Sequence, residues 1–168
     1  MDLKTIFESS IEHIRAHPAD GQGTAVTTTR IRSGVTCDIE DSDWKLVVDE
    51  MPGDGGSGLG PDPGVYGRAA LGSCLAMGYV MWAAHLNVPI EDVEVTVEAD
   101  YDARGMLGLD DSVSPGWSAV RYKVAITSPD SYERVRELVE TADRYSSILD
   151  CLTRPLNVTR ELSVMRVP

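Results

Sequence analysis

The feature that most constrains the fold is a long apolar stretch in the middle of the chain, RAALGSCLAMGYVMW, residues 68–82. Asp62 suits a helix N-cap with Pro63 at the first helical position, and Asn87-Val-Pro89 ends the pattern. One helix is therefore predicted from about residue 62 to about residue 86. It is apolar nearly all round, which is typical of a buried helix. Other elements must cover it.

The flanking segments predict those covering elements. Residues 2–17 form an amphipathic pattern, which predicts an N-terminal helix extension over 1–22, followed by a single domain over 23–168. The domain pattern is a meander of strands within 23–50, strands over 93–103 and 117–128, a helix capped by Asp130, a turn over 146–152 and a final strand from Asn157. Antiparallel strands around long central helices define an α+β fold.

The charge balance indicates which partners to expect. The chain has 27 acidic and 15 basic residues, a formal net charge of -12. We expect no nucleic-acid partner and no anionic membrane surface, because both need clustered Lys and Arg. The apolar run is shorter than a bilayer span and contains Gly72 and Gly78, which favours a core helix over a membrane helix. The N-terminus shows no signal-peptide pattern, so a cytoplasmic location is expected.

Three cysteines and no visible export signal indicate a reducing compartment, where thiols are catalytic or inert. There is no Cys-x-x-Cys pair. None of His13, His17 and His85 stands at metal-ligand spacing from a cysteine, so the sequence predicts no metal and no cofactor. The loop GDGGSGLG, residues 53–60, invites comparison with a phosphate-binding loop. It lacks the Lys-Ser/Thr ending and any basic residue, and Asp54 would repel an anion.

Cys74 lies in the middle of the apolar helix, where a cysteine is either a packing residue or a shielded nucleophile. It is too far from the start of its own helix for the dipole to lower its pKa, and burial would raise the pKa. A nucleophilic Cys74 therefore needs a cation from elsewhere, and Arg30-Ile-Arg32 is the best source in the sequence. Cys151 offers a second thiol, and Cys37 is most simply a strand residue.

Gly60-Pro-Asp-Pro63, Tyr66 and Ala69-Ala-Leu-Gly-Ser-Cys74-Leu-Ala-Met77 resemble the signature of the osmotically inducible protein C family, which includes the organic hydroperoxide resistance proteins. The resemblance covers about residues 24–166, and the N-terminal helix lies outside it. It implies an OsmC-like fold: an intertwined homodimer with two long helices buried between sheets and active sites built from both subunits.

The resemblance also implies an activity: a thiol peroxidase for organic or fatty-acid hydroperoxides. Cys74 matches the peroxidatic cysteine and Cys151 the resolving one, whose disulfide a lipoyl-type dithiol or a small thiol reopens. The arginine of the family falls on Arg32, with Arg30 as the fallback. Tyr66 and Met77 are candidate substrate-binding residues, and simple packing is the more common role for such side chains.

Two departures from the family pattern stand out. The glutamate that commonly follows the helix-start proline and orients the arginine is Gly64 here. Asp62 or Glu50 could replace it, and Arg68, four residues on, could fill the space. The second cysteine is followed by Leu-Thr-Arg-Pro instead of Pro-Val.

Two other functions stay open at this stage. One is a non-catalytic dimer that binds a small apolar ligand or a partner, which the glycine at position 64 favours. The other is a thiol enzyme of different chemistry, such as a hydrolase. That enzyme would need a base beside Cys74, and His85 is three helical turns away.

Overall fold

The computed structural model describes residues 2–166 of the chain. Its helices and strands follow one another as α1 Leu3–Ala16, β1 Thr28–Ser33, β2 Thr36–Asp41, β3 Trp44–Val48, α2 Pro63–Leu86, β4 Asp92–Asp100, α3 Ala103–Met106, β5 Ala119–Thr127, α4 Tyr132–Arg144 and α5 Ser147–Thr153. Both sheets are antiparallel, in the orders β1-β2-β3 and β4-β5. The α+β class is confirmed.

The predicted meander is confirmed, because β-branched runs alternate with two tight turns. Gly34 and Ser42 occupy these turns with φ values of 56° and 50°. In this left-handed region a glycine is unstrained, and a short polar side chain is tolerated. The register pairs Arg30 with Asp38 and Cys37 with Val48. The meander thus forms a small sheet of its own.

Helix α2 begins and ends where the sequence predicts. The Asp62 carboxylate accepts a hydrogen bond from the Val65 N–H at 3.0 Å, and Asn87 closes the helix in the left-handed conformation. One face is buried against β4, β5 and α4, through the side chains of Leu71, Leu75, Tyr79 and Ala83. By length and composition α2 is long and apolar enough to cross a membrane, but core helices of soluble proteins meet the same criterion.

The core fills the space between α2, α4 and the β4–β5 sheet. Alternate residues of each strand face α2, as a half-buried strand requires; they are Val93, Val95, Val97, Tyr122, Val124 and Ile126. Leu138 and Ala142 of α4 are buried against the same helix. Helix α1 packs on the C-terminal half of α2, where Phe7 contacts Trp82 edge-to-face at 5.3 Å.

The glycine-rich loop between β3 and α2 folds around a carboxylate of the chain itself. Asp49 is buried, and its Oδ2 accepts hydrogen bonds from the N–H groups of Ser57 and Leu59, both at 3.1 Å. Burial raises the pKa of Asp49, but these backbone bonds outweigh it and lower the pKa. A Cβ at Gly60 would collide with the Val47 carbonyl. The donors that a phosphate would need are therefore already used.

Three details differ from the sequence predictions. Ser131, not Asp130, caps α4 by accepting from the Arg134 N–H, because Asp130 instead forms an ion pair with the Arg134 side chain. The segment predicted as a turn over 146–152 is helix α5. The final strand is absent from the described residues: 155–166 are exposed and outside any helix or strand, because no neighbouring strand of this chain pairs with them.

Candidate functional site around Cys74

The Cys74 thiol of α2 meets the start of α5. Its Sγ lies 3.4 Å from Oγ of Ser146 and 3.7 Å from Oγ of Ser147. Ser146 is buried, whereas Cys74 is partly accessible. The thiol therefore combines a polar contact on the protein side with access from outside.

These contacts set the protonation behaviour of the thiol. Desolvation raises the pKa of Cys74, but hydrogen bonds from the Ser146 hydroxyl, the Ile148 N–H, the Ser147 hydroxyl and the Ser147 N–H together lower it. Donors that point at sulfur stabilise the thiolate, which is the nucleophilic form. A lowered pKa thus arises here from hydrogen bonds, without the cation that the sequence argument required.

A partly buried clamp holds the turn that carries Ser146. The Asp143 carboxylate accepts hydrogen bonds from Tyr79 of α2 at 2.7 Å and from Tyr122 of β5 at 2.8 Å. Burial, together with the hydrogen bond to Asp143 and its negative charge, raises the pKa of Tyr122 to about 12. The same causes raise the pKa of Tyr79 by a larger amount. The Ser146 N–H then donates to the Asp143 carbonyl at 3.2 Å. The clamp joins three elements and fixes Ser146 beside the thiol.

Ser146, Ser147 and the clamp were missed by sequence reasoning. Ser146 caps α5 by accepting from the Leu149 N–H, and a serine before an apolar helical turn is a recognisable N-cap signal. That signal locates the helix start. It does not predict that the start reaches Cys74, which lies 72 positions earlier in the chain.

Cys151 lies on the same short helix as Ser147. It is exposed, and both it and Cys74 are free thiols. Ser147 and Cys151 are four residues apart, so they share a face of α5 and are separated by about 6 Å along its axis. The fold therefore brings Cys151 to within about one helical turn of the groups that contact Cys74.

The predicted arginine stands in a different setting. Arg32 is the second-last residue of β1 and is half exposed. It pairs in a bidentate manner with Asp38 of β2, with Nε 2.8 Å from Oδ2. The described contacts of the Cys74 sulfur come from residues 146–148. Arg32 is therefore not among the residues that contact the thiol within this chain, and its role there stays a prediction. Arg30 lies on the same strand.

The glycine in place of the family glutamate has a visible consequence. A Cβ at Gly64 would lie 3.2 Å from Nη1 of Arg68 and 2.9 Å from Oδ1 of Asp62. The Arg68 guanidinium thus fills the space beside Gly64, as predicted. Among residues 2–166, Arg68 has no carboxylate within ion-pair distance.

Tyr66 and Met77 lie on two different parts of α2. The Tyr66 hydroxyl donates to the Val47 carbonyl at 2.9 Å, which ties α2 to β3. Met77 is 64% exposed and lines an open groove of about 610 Å³ with Val80, Met81, Ile90 and Leu3 of α1. Met77 stands three residues after Cys74, on a neighbouring part of the helix surface.

The family model described as OsmC-like protein matches residues 54–161, which include Cys74 and Cys151 but not Arg32. No curated protein sequence matches the chain.

Solved structures share the fold at low sequence identity. An OsmC-like protein from Mycoplasma pneumoniae aligns with a TM-score of 0.67 and 14% identity, over 78% of this chain and 88% of the other. An organic hydroperoxide resistance protein from Legionella pneumophila gives 0.58 and 18%, over 78% and 90%. A putative one from Vibrio cholerae, with captopril bound in one active site, gives 0.54 and 18%, over 78% and 85%.

Proposed function

The chain belongs to the OsmC-like protein family, and we propose from that premise that it reduces organic hydroperoxides with Cys74 as the nucleophile. One observation carries the proposal: hydroxyl and N–H groups at the start of α5 face the Cys74 sulfur, and their hydrogen bonds lower its pKa despite desolvation. A stabilised yet accessible thiolate is what a cysteine nucleophile requires. Structural neighbours named as organic hydroperoxide resistance proteins support the substrate class.

The proposed first step is a displacement on oxygen. The Cys74 thiolate attacks the terminal oxygen of the hydroperoxide, so an S–O bond forms while the O–O bond breaks. Cys74 becomes a sulfenic acid, and the alkoxide leaves as an alcohol after taking a proton. Arg32 is the proposed cation that polarises the peroxide, with Arg30 as its alternative. Both stand on β1, so this part of the proposal needs β1 to approach the thiol in the assembled protein.

The proposed second step uses Cys151. Its thiol attacks the Cys74 sulfenic acid, water leaves, and a Cys74–Cys151 disulfide forms. A disulfide needs the two Cα atoms within roughly 7 Å, while Ser146 and Ser147 now contact the Cys74 sulfur. We propose that the first turn of α5 opens, so that Cys151 replaces these serine contacts at the sulfur. Because Cys151 is exposed, the disulfide would be accessible to a lipoyl-type dithiol or a small thiol, as expected in the cytoplasm.

We also propose that the protein works as a homodimer. Met77 and Val80 leave an apolar strip of α2 exposed, and a helix this apolar is stable in water only if it is covered. The C-terminal tail is exposed and pairs with no strand of this chain among the described residues. Its sequence nevertheless has an apolar residue at most alternate positions, namely Leu156, Val158, Leu162 and Val164. Such a segment gains its hydrogen bonds by pairing with a second copy.

A second candidate function is non-catalytic binding of an apolar ligand. The groove beside Met77 favours it, because its lining is mainly apolar and its volume of about 610 Å³ suits a small molecule. Under this alternative the thiol is inert, and ligand binding is independent of Cys74.

Peroxide consumption by matched variants separates the two functions. With cumene hydroperoxide and a dithiol, the wild type should consume peroxide, Cys74→Ser should not, and Arg32→Ala should do so more slowly. Cys37→Ser is the control, because Cys37 lies on β2 with its thiol donating to the Val35 carbonyl. Full activity of Cys74→Ser would show that the nucleophile is wrongly assigned. A wild type that consumes no peroxide but still binds cumyl alcohol, the product of cumene hydroperoxide reduction, would favour the non-catalytic binding function.

A further inference from the structure

The end of α1 brings together three groups of the kind that bind metal ions. His13 and His17 stand one helical turn apart, and Asp20 follows in the next turn of the chain. Nε2 of His13 lies 3.0 Å from Oδ2 of Asp20, the two imidazole centroids are 5.0 Å apart, and one ligand atom from each residue falls within 4.8 Å of the other two. All three side chains are exposed.

The backbone holds these groups in place before any ion binds. The His17 N–H donates to the His13 carbonyl at 2.8 Å, and the Asp20 N–H donates to the His17 carbonyl at 3.0 Å. The chain then turns back on itself, so that a Cβ on Gly21 would come within 3.2 Å of the Ile14 side chain. Asp20 is thus carried to His13 by a short helical turn over residues 18–21 that packs on α1.

The ring orientation of His17 also suits metal binding. Its Nδ1 lies 3.3 Å from the His13 carbonyl, so the proton sits on Nδ1 as a donor and Nε2 keeps its lone pair. Histidine ligands in metal sites are oriented in the same way, by a hydrogen bond from the second ring nitrogen. The carbonyl that orients His17 belongs to the other histidine of the cluster.

We propose that His13, His17 and Asp20 form a surface site for a divalent transition metal ion, with Zn²⁺ as the best match. Two imidazole nitrogens and one carboxylate oxygen are a common zinc donor set, and water completes the fourth position. Ligand atoms at about 2.1 Å from a tetrahedral zinc lie roughly 3.4 Å from each other. The 3.0 Å between Nε2 of His13 and Oδ2 of Asp20 is close to that value. Because the three side chains are exposed, they can rotate to bring all three ligand atoms to the distances that zinc requires.

The site lies at the end of α1 and in the turn that follows it, outside residues 54–161 that match the family. It shares no residue with the site around Cys74. The sequence predicts no metal site, because the histidines have no ligand spacing relative to a cysteine. Their ligand partners are each other and Asp20. The His-x-x-x-His spacing within a predicted helix is the signal that points to this pair.

Calorimetric titration of the reduced, tag-free protein with Zn²⁺ tests the proposal. We expect His17→Ala and Asp20→Asn each to weaken binding at this site by at least about tenfold, because each removes one of three protein ligands. Glu12→Gln is the matched control for Asp20→Asn, since it removes an equal charge from an exposed side chain of α1 that lies outside the cluster. It should leave the affinity within about twofold.

Bound metal should also slow amide hydrogen exchange over residues 17–21, because the ion joins that turn to α1. The proposal is overturned if the number of Zn²⁺ ions bound per chain is the same in wild type and His17→Ala at equal affinity. That result would assign the bound zinc to ligands other than this cluster. No binding by the wild type at millimolar Zn²⁺ would overturn it as well.

Discussion

Replacing Ser146 by alanine isolates the hydrogen bond that makes Cys74 reactive. The hydroxyl lies 3.4 Å from the sulfur and is the strongest of the groups that lower the pKa of Cys74. A hydrogen bond to a charged group contributes about 1.5–3 kcal/mol. For this long contact to a partly accessible sulfur we expect about the lower value. Since 1.4 kcal/mol is a factor of ten, the equilibrium constant for ionisation of the Cys74 thiol should fall about tenfold.

Alkylation of Cys74 by iodoacetamide measures this effect, with the modified cysteine located by peptide mass mapping. In wild type the rate should rise with pH and reach a plateau, and in Ser146→Ala the rise should move to higher pH while the plateau stays similar. The sign follows because removal of a donor destabilises the thiolate and raises the pKa. Ser73→Ala is the control. Ser73 is the residue before Cys74, but its hydroxyl donates to the Ala69 carbonyl and not to the thiol.

Two results would refute this reasoning. An unchanged pH profile in Ser146→Ala would mean that the hydroxyl does not stabilise the thiolate. A rate reduced equally at every pH would mean that the substitution acts through access or through loss of the α5 cap, which itself contributes about 1 kcal/mol.

Other features of the structure lead to further predictions. Tyr122→Phe leaves one oxygen of the partly buried Asp143 without its donor, so urea denaturation should show a loss of about 1–3 kcal/mol in unfolding free energy, while Tyr145→Phe, at an exposed ring, should lose little. Asp49→Asn should lower the unfolding midpoint. Because the pKa of Asp49 is lowered on folding, its contribution is full above the ordinary carboxyl pKa and disappears as pH falls through the lowered one, so wild type and variant should converge in acid. Leu162→Lys should shift the protein towards monomer in analytical ultracentrifugation if the tail pairs with a second copy.

Much of the fold follows from local signals in the sequence. Asp62 and Pro63 start α2, and Asn87 ends it, because caps depend on a few neighbouring residues. The meander follows from β-branched runs separated by turn residues. The tail has similar alternation, yet its described residues, 155–166, form no strand. Alternation specifies which face of a strand is apolar, but it does not supply a neighbour to pair with.

The candidate site was predicted only in part. Cys74 could be singled out by its place in the apolar helix, whereas Ser146 could not, because it reaches the thiol through a tertiary contact. The sequence argument sought a cation and found Arg32, which pairs with Asp38 within this chain and whose role at the thiol stays a prediction. Hydrogen-bond donors that converge through folding leave little trace in the sequence, while a cation on a strand is visible at once.

The most direct test of Cys74 as a peroxide-reducing nucleophile is the mass of the reduced protein after one equivalent of an organic hydroperoxide, with hydrogen peroxide in parallel. We predict a rapid loss of two hydrogens that maps to a Cys74–Cys151 disulfide and forms faster with the organic substrate. In Cys151→Ser, the same treatment should leave Cys74 as a sulfenic acid that excess peroxide converts to sulfinic acid. An unmodified Cys74 after minutes with either peroxide would contradict the account.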